Sequence, residues 1–210
     1  MIIAVDGPTA SGKGTIAKHL AAHYGLKRLD TGSLYRAVGL AVLDAGGDPA
    51  DVKNAVAAAE ALDLSAIDEH RIRSSAAGLA ASKVAVIPEV RAVLRRAQQV
   101  FASDPQGAVL DGRDIGTVIC PNADVKRFVT ASLAERTRRR LAELRGRGEA
   151  INFEELQAQI AERDERDMSR KDSPLFQAPD AHLLDTTSLS IEAAAQAAYA
   201  IVDAAIAARG

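Results

Sequence analysis

Short runs of apolar residues alternate along the chain with longer stretches in which apolar residues recur every three or four positions. A short apolar run between turn signals is typical of a buried strand, whereas the longer period predicts an amphipathic helix. The predicted strands are Ile2–Val5, Leu26–Asp30, Ala108–Asp111, Val125–Thr130 and His182–Asp185. The predicted helices are Lys13–Tyr24, Leu34–Leu43, one with Asp48 as N-cap and Pro49 in its first turn, one after Pro88, then Leu133–Arg145, Phe153–Ser169 and Ile191–Ala208.

Strands that are separated by helices predict an α/β fold, in which a five-stranded parallel sheet is covered by helices on both faces. A chain of 210 residues is long enough for one domain of this kind. The regular patterns are weakest in Ser65–Ala81 and Gly146–Ile151. We therefore expect any moving parts of the molecule to lie in those two segments.

Composition excludes several classes of protein. Cys120 is the single cysteine, so neither an internal disulfide framework nor a multi-cysteine metal site is possible. The net charge of −2 gives no reason to expect polymeric nucleic acid or a membrane as a partner. The first apolar run is too short for a signal peptide, so we expect a cytoplasmic protein. The small residues of the last helix indicate packing on the sheet rather than a dimer interface, and we expect a monomer.

A glycine-rich loop lies between the first strand and the first helix. Backbone N–H groups at a helix N-terminus bind phosphate, and glycines allow the close approach. In this loop Lys13 is expected to reach the β- and γ-phosphates of ATP, and the Thr15 hydroxyl is expected to hold Mg²⁺. The strict phosphate-binding motif has Ser or Thr directly after the lysine, whereas here Gly14 separates Lys13 from Thr15. The predicted ATP-binding residues are Gly7, Pro8, Thr9, Ala10, Ser11, Gly12, Lys13, Gly14 and Thr15.

Three further polar segments are candidates for binding a second substrate, the molecule that would accept the γ-phosphoryl group of ATP. Asp30–Arg36 follows the second strand and Asp111–Asp114 follows the third, at the sheet edge where open α/β sheets bind ligands. Arg163, Asp167 and Arg170 are spaced to share one helical face. The structural alternatives are helix capping for the start of the first segment and a solvated, ion-paired face for the last.

Together these motifs resemble the bacterial cytidylate kinase family of nucleoside monophosphate kinases. The stretches that carry the resemblance are Asp6–Thr15, Leu29–Arg36, Ala80–Arg91, Asp111–Gly116 and Glu162–Leu175. The resemblance implies a single P-loop kinase domain over residues 1–210, with a short monophosphate-binding insert at about 36–90 and a helical lid at about 145–172. It also implies transfer of the γ-phosphoryl group of Mg-ATP to CMP or dCMP.

The resemblance assigns roles to individual residues. The implied catalytic residues are Lys13, Arg113, Arg163 and Arg170. The acceptor phosphate is expected on Arg36, Arg113 and Arg170, the sugar on Arg163 and Asp167, and the cytosine on Ser82, Arg91 and Asp114, with Thr31 also counted in the substrate site. A carboxylate accepts a hydrogen bond from the cytosine N4 amine, whereas uracil presents an oxygen there, which would repel it.

One departure from the family pattern and two other interpretations stay open at this stage. The family often has a small antiparallel sheet in its insert, but Leu64–Ala81 is short and alanine-rich, and Glu69–Ser74 offers at most one strand. The acceptor could instead be AMP, UMP or a shikimate-like molecule. The chain could also be an ATP-binding regulatory module without turnover.

Overall fold

The structure is a computed structural model, and it describes residues 1–208. Its strands are β1 (Ile2–Asp6), β2 (Lys27–Asp30), β3 (Ala108–Gly112), β4 (Val125–Thr130) and β5 (His182–Asp185). Its α-helices are α1 (Lys13–Tyr24), α2 (Thr31–Asp44), α3 (Val52–Glu60), α4 (Ser75–Val84), α5 (Pro88–Ala102), α6 (Leu133–Arg145), α7 (Phe153–Ser169) and α8 (Ile191–Ala207). Two short 3-10 turns, Leu64–Ala66 and Arg71–Arg73, and a π-helical turn, Ile115–Ile119, complete the regular structure of the described residues.

The five strands form one sheet in the order β2-β3-β1-β4-β5. Strand β1 lies at the centre and pairs in parallel with β3 on one side and β4 on the other, while β4 pairs in parallel with β5. The α/β fold with a five-stranded parallel sheet is confirmed. Because all the connections run through helices, the carboxyl ends of the strands meet at one edge of the sheet.

The two faces of the sheet carry separate cores. Ile3 and Val5 of β1 pack on one face with α1 and α8, in a cluster that includes Leu20 and Val202. Ala4 faces the other way, into a cluster that contains the π-helical turn. This alternation follows from the side-chain period of a strand, and burial on both faces explains why the first four residues of β1, Ile2–Val5, are all apolar.

The chain divides into two compact units. One contains Met1–Leu29 together with the described residues from Val100 onward, and the other is Asp30–Gln99. The second unit is helical, and its helices α2 and α4 pack closely. A Cβ atom at Gly39 would lie 2.7 Å from the Cβ of Ala80, so a larger side chain does not fit at that crossing without a shift.

Several predicted boundaries in the second unit were wrong. Helix α2 begins at Thr31 rather than Leu34. The helix predicted to start at Asp48 starts at Val52, because Asp51 is the residue whose side chain caps the helix, accepting from Asn54 N at 2.9 Å. Glu69–Ser74 contains a 3-10 turn in place of the possible strand. The alanine-rich stretch that follows forms α4, as the high helix propensity of alanine favours.

Helices α6 and α7 have a small core of their own, formed by Leu141, Leu144, Leu156 and Ile160. The capping box that Ser132 and Glu135 could form at the start of α6 is present only in part. Ser132 Oγ accepts from Glu135 N at 3.3 Å, but the Glu135 carboxylate pairs with arginines of the same helix instead of returning to the Ser132 N–H.

Candidate active site

The glycine-rich loop joins the carboxyl end of β1 to α1, and its backbone conformation requires glycine at two positions. Gly7 has φ +152°, and a Cβ atom there would lie 2.0 Å from the carbonyl oxygen of Val129. Gly12, the N-cap of α1, is in the left-handed region at φ +90°. Ala10 also has positive φ, at +57°, which is uncommon for a residue with a side chain. The sequence folds here into a strained turn whose amides lead into a helix N-terminus.

Lys13 is the first residue of α1, and its side chain turns back over the loop. Its Nζ donates to the carbonyl oxygen of Pro8 at 3.1 Å. Thr15 is exposed in the first turn of the same helix. The loop therefore has a flexible cation and an exposed hydroxyl next to the positive end of a helix dipole, which suits a polyphosphate with its metal.

The outer side of the loop is held by residues that the sequence analysis did not assign. Arg136 and Arg139 of α6 donate to the carbonyl oxygens of Thr9 and Ser11, at 3.3 and 3.4 Å respectively. The Thr186 hydroxyl, just after β5, donates to the same Ser11 oxygen at 2.9 Å. These contacts join positions far apart in sequence, so no local pattern could have identified them.

Arg136 is buried and forms an ion pair with Asp164 of α7, with 2.6 Å between Nη1 and Oδ2. Because Arg136 contacts both Asp164 and the Thr9 carbonyl, it connects α7 to the tip of the glycine-rich loop.

The end of β3 and the residue that follows it have different roles. The buried Asp111 carboxylate accepts from both Nε and Nη2 of Arg28, at 3.1 and 2.9 Å, which is a structural ion pair within the sheet. Arg113 points instead to α7 and to the glycine-rich loop. Its Nε donates to Asp167 Oδ2 at 2.7 Å, and its Nη2 donates to Thr9 Oγ1 at 3.3 Å.

Asp167 lies at the centre of a cluster of arginines. Its burial alone would raise the pKa of the carboxyl group, but Arg113, Arg163 and Arg170 outweigh burial, and the net pKa is lower than usual. Arg170 Nη1 lies 3.6 Å from Asp167 Oδ1, and Arg170 Nη2 lies 3.9 Å from Asp114 Oδ1. The cluster is thus an ionised carboxylate that holds several cations in place.

The prediction that Arg170 shares a helical face with Arg163 and Asp167 was wrong. Helix α7 ends at Ser169, and Arg170 has an extended backbone at its C-cap, so it is not on the helical face with Arg163. Its side chain still reaches Asp167, because its Nε donates to the carbonyl oxygen of Ser173 at 2.6 Å. The role of Ser173, which has a positive φ of +52°, was not predicted.

Asp6, the last residue of β1, is a buried carboxylate next to this cluster. Its Oδ1 accepts from Ile115 N at 2.8 Å, and its Oδ2 accepts from Gly116 N at 2.7 Å. Burial raises its pKa to about 7, although both hydrogen bonds and Lys13 act to lower it. Asp6 had no predicted role.

The remaining predicted site residues belong to the unit Asp30–Gln99. Ser82 of α4 and Arg91 of α5 are buried, and Thr31 is buried at the start of α2, with Arg36 one turn further along. Arg91 donates from Nη1 to the Ala85 carbonyl at 3.4 Å, and its guanidinium lies 5.7 Å from the centre of the Tyr35 ring.

The capping alternative for Asp30 is not what the structure contains. Asp30 occupies the N-cap position of α2, but its side chain makes no capping hydrogen bond.

The described residues contain no group of three or more His, Cys, Asp or Glu side chains that could hold a metal ion by themselves. Mg²⁺ typically needs only one or two protein ligands when substrate phosphates supply others. The exposed Thr15 hydroxyl beside the phosphate-binding loop fits that arrangement. Among residues 1–208, no helix is both long and apolar enough to cross a membrane.

Comparison with known proteins agrees with this geometry. A family model described as cytidylate kinase matches residues 3–204. The cytidylate kinase of Methylocella silvestris is 57% identical and covers 98% of this chain and 95% of its own length. The cytidylate kinase of Nitrobacter winogradskyi is 56% identical, and the match covers 97% of this chain and 96% of that protein. The crystal structure of an uncharacterized protein from Eubacterium ventriosum shares the fold alone, with a TM-score of 0.56 at 13% identity over 98% of both chains.

The resemblance inferred from the motifs is confirmed by these matches, which extend well beyond the motifs. The family model covers nearly the whole sequence, and relatives with more than half of their residues identical align over almost their full length. The chain belongs to the cytidylate kinase family.

Proposed function

We propose that the protein transfers the γ-phosphoryl group of Mg-ATP to CMP or dCMP, and releases ADP with CDP or dCDP. The observation that carries this proposal is the match to relatives named cytidylate kinases at 56–57% identity over nearly their full length. AMP, UMP and shikimate-like acceptors are not favoured by that match. A monomeric state and a cytoplasmic location stay predictions from the sequence.

The glycine-rich loop binds the phosphates of ATP. Its residues 7–15 wrap the β- and γ-phosphates with backbone N–H groups, as the helix N-terminus and the conformations of Gly7 and Gly12 favour. Lys13 moves from the Pro8 carbonyl to the phosphate oxygens, and Thr15 contributes a ligand to Mg²⁺. The ion, when bound, neutralises charge on the β- and γ-phosphates.

The acceptor phosphate is bound by Arg36, Arg113 and Arg170. Arginine presents a planar fork of donors that matches phosphate oxygens. Arg113 and Arg170 already have fixed orientations through Asp167, so they lose little conformational entropy when the phosphate arrives. Asp167 itself, together with Arg163, binds the sugar hydroxyls, because an ionised carboxylate is an acceptor for O–H groups.

No side chain is required as a general base. The acceptor phosphate is already ionised near neutral pH, so catalysis consists of alignment and of stabilising charge in the transition state. Lys13, Arg113, Arg163 and Arg170 supply positive charge around the transferring group. Residues of about 145–172 form a lid that excludes water and thereby suppresses ATP hydrolysis, and residues of about 36–90 form the monophosphate-binding insert.

The base is read by Ser82, Arg91 and Asp114. The Asp114 side chain accepts from the cytosine N4 amine, and Arg91 donates to N3 and O2 of the same ring. UMP would place its O4 oxygen against the carboxylate and its N3–H against the arginine. Both contacts then become repulsive, and the expected discrimination is about 1–3 kcal/mol for each mismatched pair.

Asp114→Asn tests this assignment. The amide can turn its NH₂ group towards O4 of uracil, so the preference for CMP over UMP, as the ratio of kcat/KM values, should fall by about 10- to 100-fold. Asp104→Asn makes the same chemical change in a partly exposed ion pair with Lys27 and should leave the ratio unchanged. An unaltered ratio in Asp114→Asn would remove Asp114 from the base site.

A further inference from the structure

The π-helical turn Ile115–Ile119 is capped by a residue from another strand. The first N–H groups of a helical turn need hydrogen-bond acceptors. The side chain at the N-cap position usually accepts one of these hydrogen bonds. Here the N-cap is Asp114, and its side chain makes no capping hydrogen bond. The Asp6 carboxylate accepts from both Ile115 N and Gly116 N instead, at 2.8 and 2.7 Å.

This arrangement divides two tasks between two carboxylates. If Asp114 capped its own turn, its oxygens would point back to the backbone amides of residues 115 and 116. Because Asp6 satisfies those amides, the Asp114 carboxylate lies towards the arginine cluster, with Oδ1 3.9 Å from Arg170 Nη2. We propose that Asp6 is a positioning residue, which holds the backbone of residues 113–116 so that Asp114 can read the acceptor base and Arg113 can bind the acceptor phosphate.

The neighbouring residues are shaped for this contact. A Cβ atom at Gly116 would lie 3.1 Å from Lys126 Cδ and, at an ordinary contact distance, 3.4 Å from Asp6 Oδ2, so the backbone of the turn lies directly against the carboxylate. Asp6 also pairs with Gly112 of β3 in the sheet and directly precedes Gly7. One residue therefore connects the strand that leads into the ATP loop with the segment that carries Arg113 and Asp114.

A residue whose only task was to cap the turn would not need to be a buried carboxylate. Asp6 is buried, and its hydrogen-bond partners are backbone amides rather than a cation, so ionisation is opposed by desolvation, and its pKa rises to about 7. Asp114 adds to the rise, and Lys13 acts against it. Nearby, Cys120 has a raised pKa through burial and the Asp6 charge, and the Lys126 ammonium pairs with Asp180. A titrating group in such a position is typical of functional sites.

Asp6→Asn is the test, and it rests on the proposed role of Asp114. An asparagine has one acceptor oxygen, and its NH₂ group would face a second N–H donor, so the turn should shift. We expect the KM for CMP to rise by about 10-fold and the preference for CMP over UMP to fall, while the KM for ATP changes much less. Asp124→Asn is the matched control, because its carboxylate accepts from Ile2 N at 2.5 Å at the opposite end of β1.

A pH profile separates positioning from mere structural support. Protonated Asp6 presents an O–H to a backbone N–H, so kcat/KM for CMP in the wild type should fall as the pH drops through about 7. In Asp6→Asn this decrease of kcat/KM at low pH should be absent. The phosphate of CMP titrates in both enzymes, so the difference between the two profiles belongs to Asp6. Equal profiles, or equal rises in the two KM values with a lower Tm, would overturn the proposal.

A second variant keeps the outcome interpretable. If Asp6→Asn does not fold, Asp6→Glu serves instead: it keeps both acceptor oxygens but moves them by one methylene group, so the segment of residues 113–116 should shift and the CMP preference should fall. If Asp114→Asn loses the preference and Asp6→Asn retains it, the positioning role is wrong while the proposed base site stands. If neither variant changes the preference, the proposed base site itself is wrong.

Discussion

Lys13→Ala should lower kcat by at least about 1000-fold without a measurable change in Tm. The lysine ammonium is the cation of the loop, and its Nζ donates to the Pro8 carbonyl oxygen. Removing one preorganised group that stabilises transition-state charge typically costs 100- to 1000-fold, about 3–4 kcal/mol, and Lys13 carries a full charge. The fold should not suffer, because the side chain is only partly buried and belongs to no core cluster of the described residues.

Coupled measurement of ADP release at saturating CMP checks the Lys13 prediction, with Tm as the measure of folding. Lys18→Ala is the matched control, since Lys18 is an exposed lysine on the same helix. It should retain wild-type turnover. If Lys13→Ala also keeps near-wild-type turnover, the mechanism described here is incorrect.

Arg127→Leu should raise the free energy of unfolding by about 3 kcal/mol and the Tm by about 5–10 °C. Arg127 is fully buried in β4, between Val125 and Val129, on the sheet face that packs against α1 and α8. Its three guanidinium nitrogens have no hydrogen-bond acceptor within residues 1–208. Burial lowers the pKa of the group to about 10, so it keeps its charge at neutral pH and destabilises the folded state there.

Thermal unfolding at pH 6 and pH 8 checks the Arg127 prediction. A base with a lowered pKa loses its destabilising charge only when the pH rises through about 10, so the gain in Tm should be the same at both pH values. Arg138→Leu, which removes an exposed arginine of α6, should change the Tm by little. A Tm for Arg127→Leu at or below that of the wild type would show that the guanidinium has a stabilising partner.

The elements that the sequence predicted best are those with the strongest local patterns. The apolar runs of β1 and β4 and the helical period of α1 are read directly from neighbouring residues. The position of the glycine-rich loop between a strand and a helix was likewise correct. The parallel sheet followed because the strands alternate with helices, which leaves few other topologies.

The errors occurred where several local signals competed. Asp48 and Asp51 are both good N-caps, and only the fold decides that Asp51 caps α3. Arg170 fits a helical period, yet α7 ends one residue before it. Helix ends are set by the contacts available to the last residues, here the Ser173 carbonyl, and such contacts are not visible in a periodic pattern.

The contacts of the candidate site that escaped prediction are long-range. Arg136 meets the Thr9 carbonyl and Asp6 meets the amides of residues 115 and 116, across more than a hundred positions in each case. The burial of Arg127 was not predicted, although β4 itself was predicted correctly and its alternation contains the signal. A strand places alternate residues on opposite faces, so Val125 and Val129 commit Arg127 to the buried side.

The most direct measurement is ADP release from Mg-ATP with CMP, dCMP, UMP, AMP, GMP or no acceptor. Our account predicts strong turnover with CMP and dCMP, little with the other nucleotides, and almost none without an acceptor. Turnover that prefers another acceptor would contradict the assignment of Ser82, Arg91 and Asp114 to a cytosine. ADP release that does not depend on any acceptor would contradict the proposed reaction itself.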